Sequence, residues 1–215
     1  MEDLISHILF IGSGIALTIE LLIGGISMGI LLGVLFSVLR YRKIGLFFIN
    51  RFISILRGTP VILQLSFIYF STPGLLGIKL SILEAGILTF GLNSSAYISE
   101  ILRAGIESLP KGQFEASRTL QIPAFYMWKD IILPQVIRNV LPAMTSEIIA
   151  LLKETALIST IGGMDLLRKS QTLAAEQFTY FIPLCIAGAY YYGLVLLIEY
   201  AGKKIEQRGS YAQNS

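Results

Sequence analysis

Three ionisable side chains stand where hydrocarbon chemistry would put none. Glu147, Lys153 and Glu154 interrupt an apolar helical stretch running from about Val140 to Ile161. A charge at mid-bilayer costs roughly 2.5–3.5 kcal/mol on insertion scales, so these groups must face protein, a water-filled cavity or the membrane interface. At about 100° per residue, Glu147 and Glu154 share a helix face with Ala143 and Ala150, and Lys153 lies about a third of a turn from Glu147. Two chemistries fit. The charges form a structural ion pair with Arg57 or Arg103, or they line a translocation path for a polar, charged cargo. Gln64, Asn93 and Tyr97 are uncharged candidates for the same cavity, although Asn and Gln also bridge membrane helices. Glu100, Arg103 and Glu107 follow i, i+3, i+7 spacing, and a local ion pair that stiffens the end of their helix is the expected role.

Enzyme chemistry finds little support. His7 is the single histidine and Cys185 the single cysteine, which excludes an internal disulfide, a thiolate cluster and a His-based metal site or triad within the chain. Cys185 lies in an apolar run and is expected to pack. No nucleotide-binding G-x-x-x-x-G-K-[ST] loop occurs; Gly202-Lys203 lacks the Ser or Thr.

The surrounding elements must be membrane helices. Hydrophobic residues make up 54% of the 215 and charged residues 14%, against roughly 25% charged in soluble proteins. The mean hydropathy is +0.70. An all-α membrane protein follows, with about five spans over residues 15–39, 54–72, 81–109, 138–162 and 178–201, as a single domain over 1–215. The N-terminal MEDLISH is acidic and the first apolar run exceeds a signal-peptide core, so that run is expected to be a retained span. Its uncharged part, Leu21–Leu39, lies between Glu20 and Arg40. There Gly25, Gly29, Gly33 and Ser37 recur every four residues, the pattern of a close helix contact or of tolerated membrane glycine.

Span two is expected from Gly58 to about Thr72, with Arg57 snorkelling at its end and Ser71–Gly74 as a turn. Pro110 should end span three by Leu109, and Gly162-Gly163 should end span four. A mixed loop, Met164–Gln177, then leads to span five, whose tyrosines 180, 190, 191, 192 and 200 suggest an aromatic belt.

Basic residues set the orientation. Arg40, Arg42, Lys43, Arg51, Arg103, Lys111, Arg118, Lys129, Arg138, Lys203, Lys204 and Arg208 fall on one side, and Lys79, Arg168 and Lys169 on the other. The positive-inside rule makes the first side cytoplasmic, with the N-terminus outside and the C-terminus inside. The net charge of +3 carries no indication of a nucleic-acid partner; lipid is the expected surroundings.

Residues 110–136 form a polar island between spans three and four, and this orientation makes it cytoplasmic. Phe114–Leu120 can make two helical turns. Pro123 biases Ile122 to an extended conformation and suits the start of a second short helix through Leu133, and Pro134 repeats the device before span four. Phe125, Met127, Trp128, Ile131 and Ile132 can contact bilayer or bundle, with Glu115, Arg118 and Asp130 facing water. An interfacial amphipathic loop without a partner fits the same residues.

The island resembles the signature loop of ABC importer membrane subunits: Glu-Ala-Ala, three residues, Gly, nine residues, Ile-x-Leu-Pro. Here Glu115-Ala116-Ser117 is followed by Gln121 at the glycine position and by Ile131-x-Leu133-Pro134 in register. Gln121 departs from the pattern, since glycine permits a positive-φ turn that glutamine resists; Pro123 is an alternative source of the break.

The resemblance extends along the chain to the polar amino-acid permeases. Arg57-Gly-Thr59-Pro60 with Gln64-Leu65, Ala96-Tyr97 with Glu100, Arg103 and Gly105-Ile106, Leu109 to Gln113, and Lys153-Glu154-Thr155-Ala156-Leu157 are similar to their motifs. It implies a multi-pass subunit of the bacterial cytoplasmic (inner) membrane with no cofactor of its own. ATP and Mg would be held by a dimer of ATPase subunits, alongside a second permease subunit and an extracytoplasmic solute-binding protein. It also implies coupling residues Lys111, Gln113, Glu115, Ala116, Arg118 and Gln121, and adds Arg57 and Thr59 to the pathway candidates. Alternating-access import of a glutamine-, arginine- or histidine-like solute is the leading expectation. A proton- or sodium-coupled secondary transporter using Glu147 and Glu154 is the alternative, disfavoured by the few spans, the lack of a visible internal repeat and the docking-type loop.

Overall fold

A computed structural model describes residues 2–211. Helices account for the architecture, and no strand occurs among the described residues. They are α1 (Glu2–Gly12), α2 (Ile15–Tyr41), α3 (Leu46–Gly58), α4 (Val61–Leu76), α5 (Ile82–Glu107), α6 (Lys111–Thr119), α7 (Ala124–Tyr126), α8 (Leu133–Glu154), α9 (Leu166–Gln177) and α10 (Phe181–Tyr211). A π-helical segment, Met127–Ile132, joins α7 to α8, and a 3₁₀ segment, Thr155–Ile161, extends α8 to Gly162, whose φ of +92° ends it. Two runs, Asp3–Tyr41 and Phe181–Gln207, are long and apolar enough to cross a membrane unaided, and the pair α3–α4 joins them if its bend of 104° is counted within one span.

Helix α5 is the centre of the bundle. Ser81 and Glu84 close a reciprocal capping box at its start, and it ends at Glu107, just ahead of the predicted limit at Leu109. Helix α2 lies along it through the glycine stripe. Gly25, Gly29 and Gly33 are all buried, and a Cβ added to them would meet Phe90 at 3.3 Å, Ser94 at 3.0 Å and Ile98 at 2.8 Å. The spacing therefore marks a true interface. One apolar cluster, with Leu21, Leu65, Phe90, Leu151, Leu152 and Ile158, joins α2, α4, α5 and α8. A second, with Leu109, Met127, Ile132, Val136 and Val140, ties the α6–α8 region to the end of α5.

Several boundaries differ from expectation. Span two is broken: its helix starts at Leu46 and is interrupted at Thr59-Pro60, where Thr59 is extended. Pro60 has no N–H for the Leu56 carbonyl, which is why α3 stops there. The Ser71–Gly74 cluster is helical rather than a turn, because Pro73 is absorbed within α4, which ends instead on Gly77 at φ +68°. Helix α2, by contrast, starts at Ile15 as expected for span one, and it includes Glu20 on an exposed face.

The expected loop 164–177 is mostly helix α9. Asp165 caps it by accepting from the Arg168 N–H at 2.9 Å, and the Tyr191 hydroxyl donates to the other carboxylate oxygen at 3.0 Å. Burial pushes the Asp165 carboxyl above the ordinary aspartate range, against the pull of those two donors. Tyr190 likewise points inward, donating to the Ile8 carbonyl. These two tyrosines fasten α10 to the N-terminal and α9 segments rather than forming a belt.

The α2–α5 contact generates a test. Gly33→Ala forces a methyl against Ile98 and the Ser95 carbonyl and is expected to cost about 1–3 kcal/mol through overpacking. A lowered Tm of the detergent-solubilised protein reads this, with Gly188→Ala, whose Cβ meets open space, leaving Tm unlowered.

Candidate functional site

The polar island folds into a short helix standing on the end of the bundle. Only one side of α6 is covered: Ser117 is buried, Gln113 and Phe114 are half-buried, and Lys111, Glu115, Ala116 and Arg118 are exposed. The Phe114 ring meets Trp128 edge-on at 6.3 Å, and Trp128 in turn meets Tyr41 of α2 at 4.9 Å. Gln113 and Gln135 exchange amide hydrogen bonds at 3.0 and 2.7 Å.

Helix α6 ends in a Schellman turn. The Ile122 N–H reaches the Ser117 carbonyl and the Gln121 N–H that of Arg118, both at 3.0 Å, while Gln121 adopts φ +54°. Glutamine therefore takes the left-handed conformation that the family's glycine would, and Pro123 follows the break rather than replacing it. The predicted second short helix is corrected. Only Ala124–Tyr126 is a separate α-turn, and from there the π-helical segment runs without a break into α8. Pro134 does not interrupt the chain: it lies at the second position of α8, directly after the widened π-helical turn.

The intramembrane candidates separate into three groups. Gln64, Asn93 and Thr59 gather at the break in span two. Gln64 Nε2 donates to the Leu56 carbonyl at 2.8 Å and to Thr59 Oγ1 at 2.9 Å, and Asn93 Nδ2 reaches the same Leu56 carbonyl at 3.2 Å. Together they satisfy the acceptor that Pro60 orphans.

Arg57 and Tyr97 belong to a second group, centred on Glu100. Its carboxylate pairs with Arg40 at 2.7 Å, Arg103 at 2.7 Å and Arg57 at 3.8 Å, and Arg103 also holds Glu107 at 2.6 Å. The Arg57 guanidinium lies 5.2 Å from the Tyr97 ring centre. The expected local ion pair is thus a junction of α2, α3 and α5. It borders a cleft of about 420 Å³ lined by Arg57, Tyr97, Glu100, Arg103, Asn139 and Ala143. Asn139 carried no signal in the sequence, where it is one amide among the polar residues that precede span four.

The third group lies further along α8. Glu147 accepts from Ser94 Oγ of α5 at 2.7 Å, Glu154 is half-buried and Lys153 is exposed. Glu147 and Glu154 form no ion pair among the described residues, and neither Arg57 nor Arg103 reaches them.

Residues 25–210 match the family of binding-protein-dependent transport system inner membrane components, and the chain belongs to that family. It is 45% identical to the putative glutamine transport system permease protein GlnP of Rickettsia typhi, covering 94% of this chain and 93% of the relative. With the arginine transport system permease protein ArtQ of Bacillus subtilis it shares 39%, covering 95% and 94%. A solved structure described as an amino acid ABC transporter with histidines superposes with a TM-score of 0.88 at 32% identity, over 96% of this chain and 97% of that one. The protein is a membrane-embedded translocation component.

Relief of the Gln121 turn is measurable. A left-handed residue costs roughly 1–2 kcal/mol, and glycine returns part of this through unfolded-state entropy, so Gln121→Gly should stabilise by up to about 1 kcal/mol. A raised Tm checks it.

Proposed function

We propose that this chain is the membrane-spanning subunit of a bacterial ATP-driven importer for a polar amino acid of the glutamine or arginine type. The names of the full-length relatives support the cargo class. A second permease subunit completes the pathway, a dimer of ATPase subunits binds ATP and Mg on the cytoplasmic side, and an extracytoplasmic binding protein delivers the solute. Basic residues near the α6 end of the bundle, among them Arg40, Arg103, Lys111 and Arg118, support a cytoplasmic α6 and C-terminus with the N-terminus outside. Proton- or sodium-coupled transport is not favoured, because the family match is to binding-protein-dependent systems.

The observation that carries this reading is the free face of α6. Glu115, Ala116 and Arg118 project into solvent in register with the family's loop while the opposite face is anchored. In this mechanism the closing ATPase dimer pulls on that face, and the bundle switches from inward- to outward-facing access. Arg57, Tyr97, Glu147, Lys153 and Glu154 then meet the amino acid's charged groups along the path. Thr59, Gln64 and Asn93 act on the path by holding the break that shapes it.

Two substitutions test the assignment. Glu115→Arg should leave membrane insertion intact and abolish both ATPase co-purification and uptake; retention of both overturns the coupling role. Glu154→Gln should change uptake of labelled glutamine or arginine while the complex assembles normally, whereas loss of assembly points to a structural role.

A further inference from the structure

Helix α6 is poorly connected for an element that must transmit force. Its covered residues are few, and the hydrogen bonds between Gln113 and Gln135 are the only side-chain hydrogen bonds it makes to another helix among the described residues. Each amide donates to the other's carbonyl oxygen, which closes a ring. The Gln135 amide nitrogen also donates to the Ile131 carbonyl at 2.7 Å, inside the π-helical segment where the regular bonding pattern is widened. Within α6, Ser117 donates to the main-chain carbonyl of Gln113 at 2.8 Å. The amide pair therefore links the first turn of α6 directly to the first turn of α8 and, through the Ile131 carbonyl, to the π-helical segment. Helix α8 carries Glu147 and Glu154. Phe114 against Trp128 adds apolar contact beside this line, but an edge-on aromatic contact tolerates sliding, and a two-bond amide ring fixes both distance and direction.

We propose that the Gln113–Gln135 pair is the positioning latch that makes α6 and α8 move as one body, so that displacement of α6 reaches the intramembrane carboxylates instead of being lost in the Gln121–Pro123 turn. This rests on the reading of α6 as the ATPase-docking helix. The two glutamines touch neither cargo nor nucleotide; they act through α8.

The test uses the complete complex in proteoliposomes, with whichever of labelled glutamine or arginine the unmodified complex takes up. Gln135→Ala should leave assembly and ATP hydrolysis in place and lower uptake per ATP about fivefold, Gln113→Ala should lower uptake per ATP to the same extent, and the double variant should fall no further, because contacting partners are non-additive. Uptake per ATP within about twofold of the unmodified complex, or multiplication of the two losses in the double variant, overturns the latch.

A cargo-independent arm places spin labels at Thr119 and Ser146 in a Cys185→Ser background. Their separation should stay constant between nucleotide-free and ATP-trapped states, and change once Gln113→Ala is added. A constant separation in that variant also overturns the proposal. Failure of the docking reading itself shows differently, as normal ATPase association by Glu115→Arg.

Discussion

The close approach of α2 to α5 is the contact on which the other arrangements depend. Lipid tails are as apolar as leucine, so helices in a bilayer associate through fit and hydrogen bonding rather than through escape from water. Gly25, Gly29 and Gly33 supply the fit by bringing one backbone against Phe90, Ser94 and Ile98. Once α5 is fixed, its successive turns serve different neighbours. Asn93 reaches the break in span two, Ser94 holds Glu147 of α8, and Glu100 collects three arginines. Near its end, Gly105 leaves room for Val140 of α8.

Polar groups within the bundle are handled by local satisfaction. Breaking a helix at Pro60 orphans the Leu56 carbonyl, and two amide side chains from different helices converge on it. Glu100 is surrounded by guanidinium groups rather than buried alone, which avoids the large penalty of an unpaired charge. The pairs differ in exposure: the Arg40 side chain is 15% exposed and that of Arg57 is 42%. The Arg40 contact is the less screened of the two, and the longer Arg57 contact at the cleft is the weaker.

Much of this was legible in the sequence. Composition indicates the membrane class, the four-residue glycine spacing offers the α2 contact face as one of two readings, and the Glu115 to Pro134 register places the α6 loop while leaving its turn at Gln121 open. What escaped had specific causes. The broken span was hidden because Gly58-Thr-Pro60 lies between two apolar runs, and the bend depends on Gln64 and Asn93, the latter arriving from a distant helix. Helix α9 carries a loop-like sequence because its buried face, Leu166, Ser170, Leu173 and Ala174, is short and partly polar. Glu100 could be paired with Arg103 by spacing, but not with Arg40 and Arg57, which are about 60 and 40 residues away in the chain. Gln121 was a conflict between family pattern and residue type, and the Schellman bonds decided it in favour of the pattern.

The π-helical segment has one more consequence. A wide turn accommodates roughly one surplus residue within the helix. Residue number and angular position therefore fall out of step by about 100° across Met127–Ile132. Counting faces from Phe125 into α8 as though the helix were regular would assign Val136, Val140 and Glu147 to the wrong side. The surplus residue acts as a phase shifter: Trp128 turns towards Tyr41 while Glu147, several turns later, still points at Ser94.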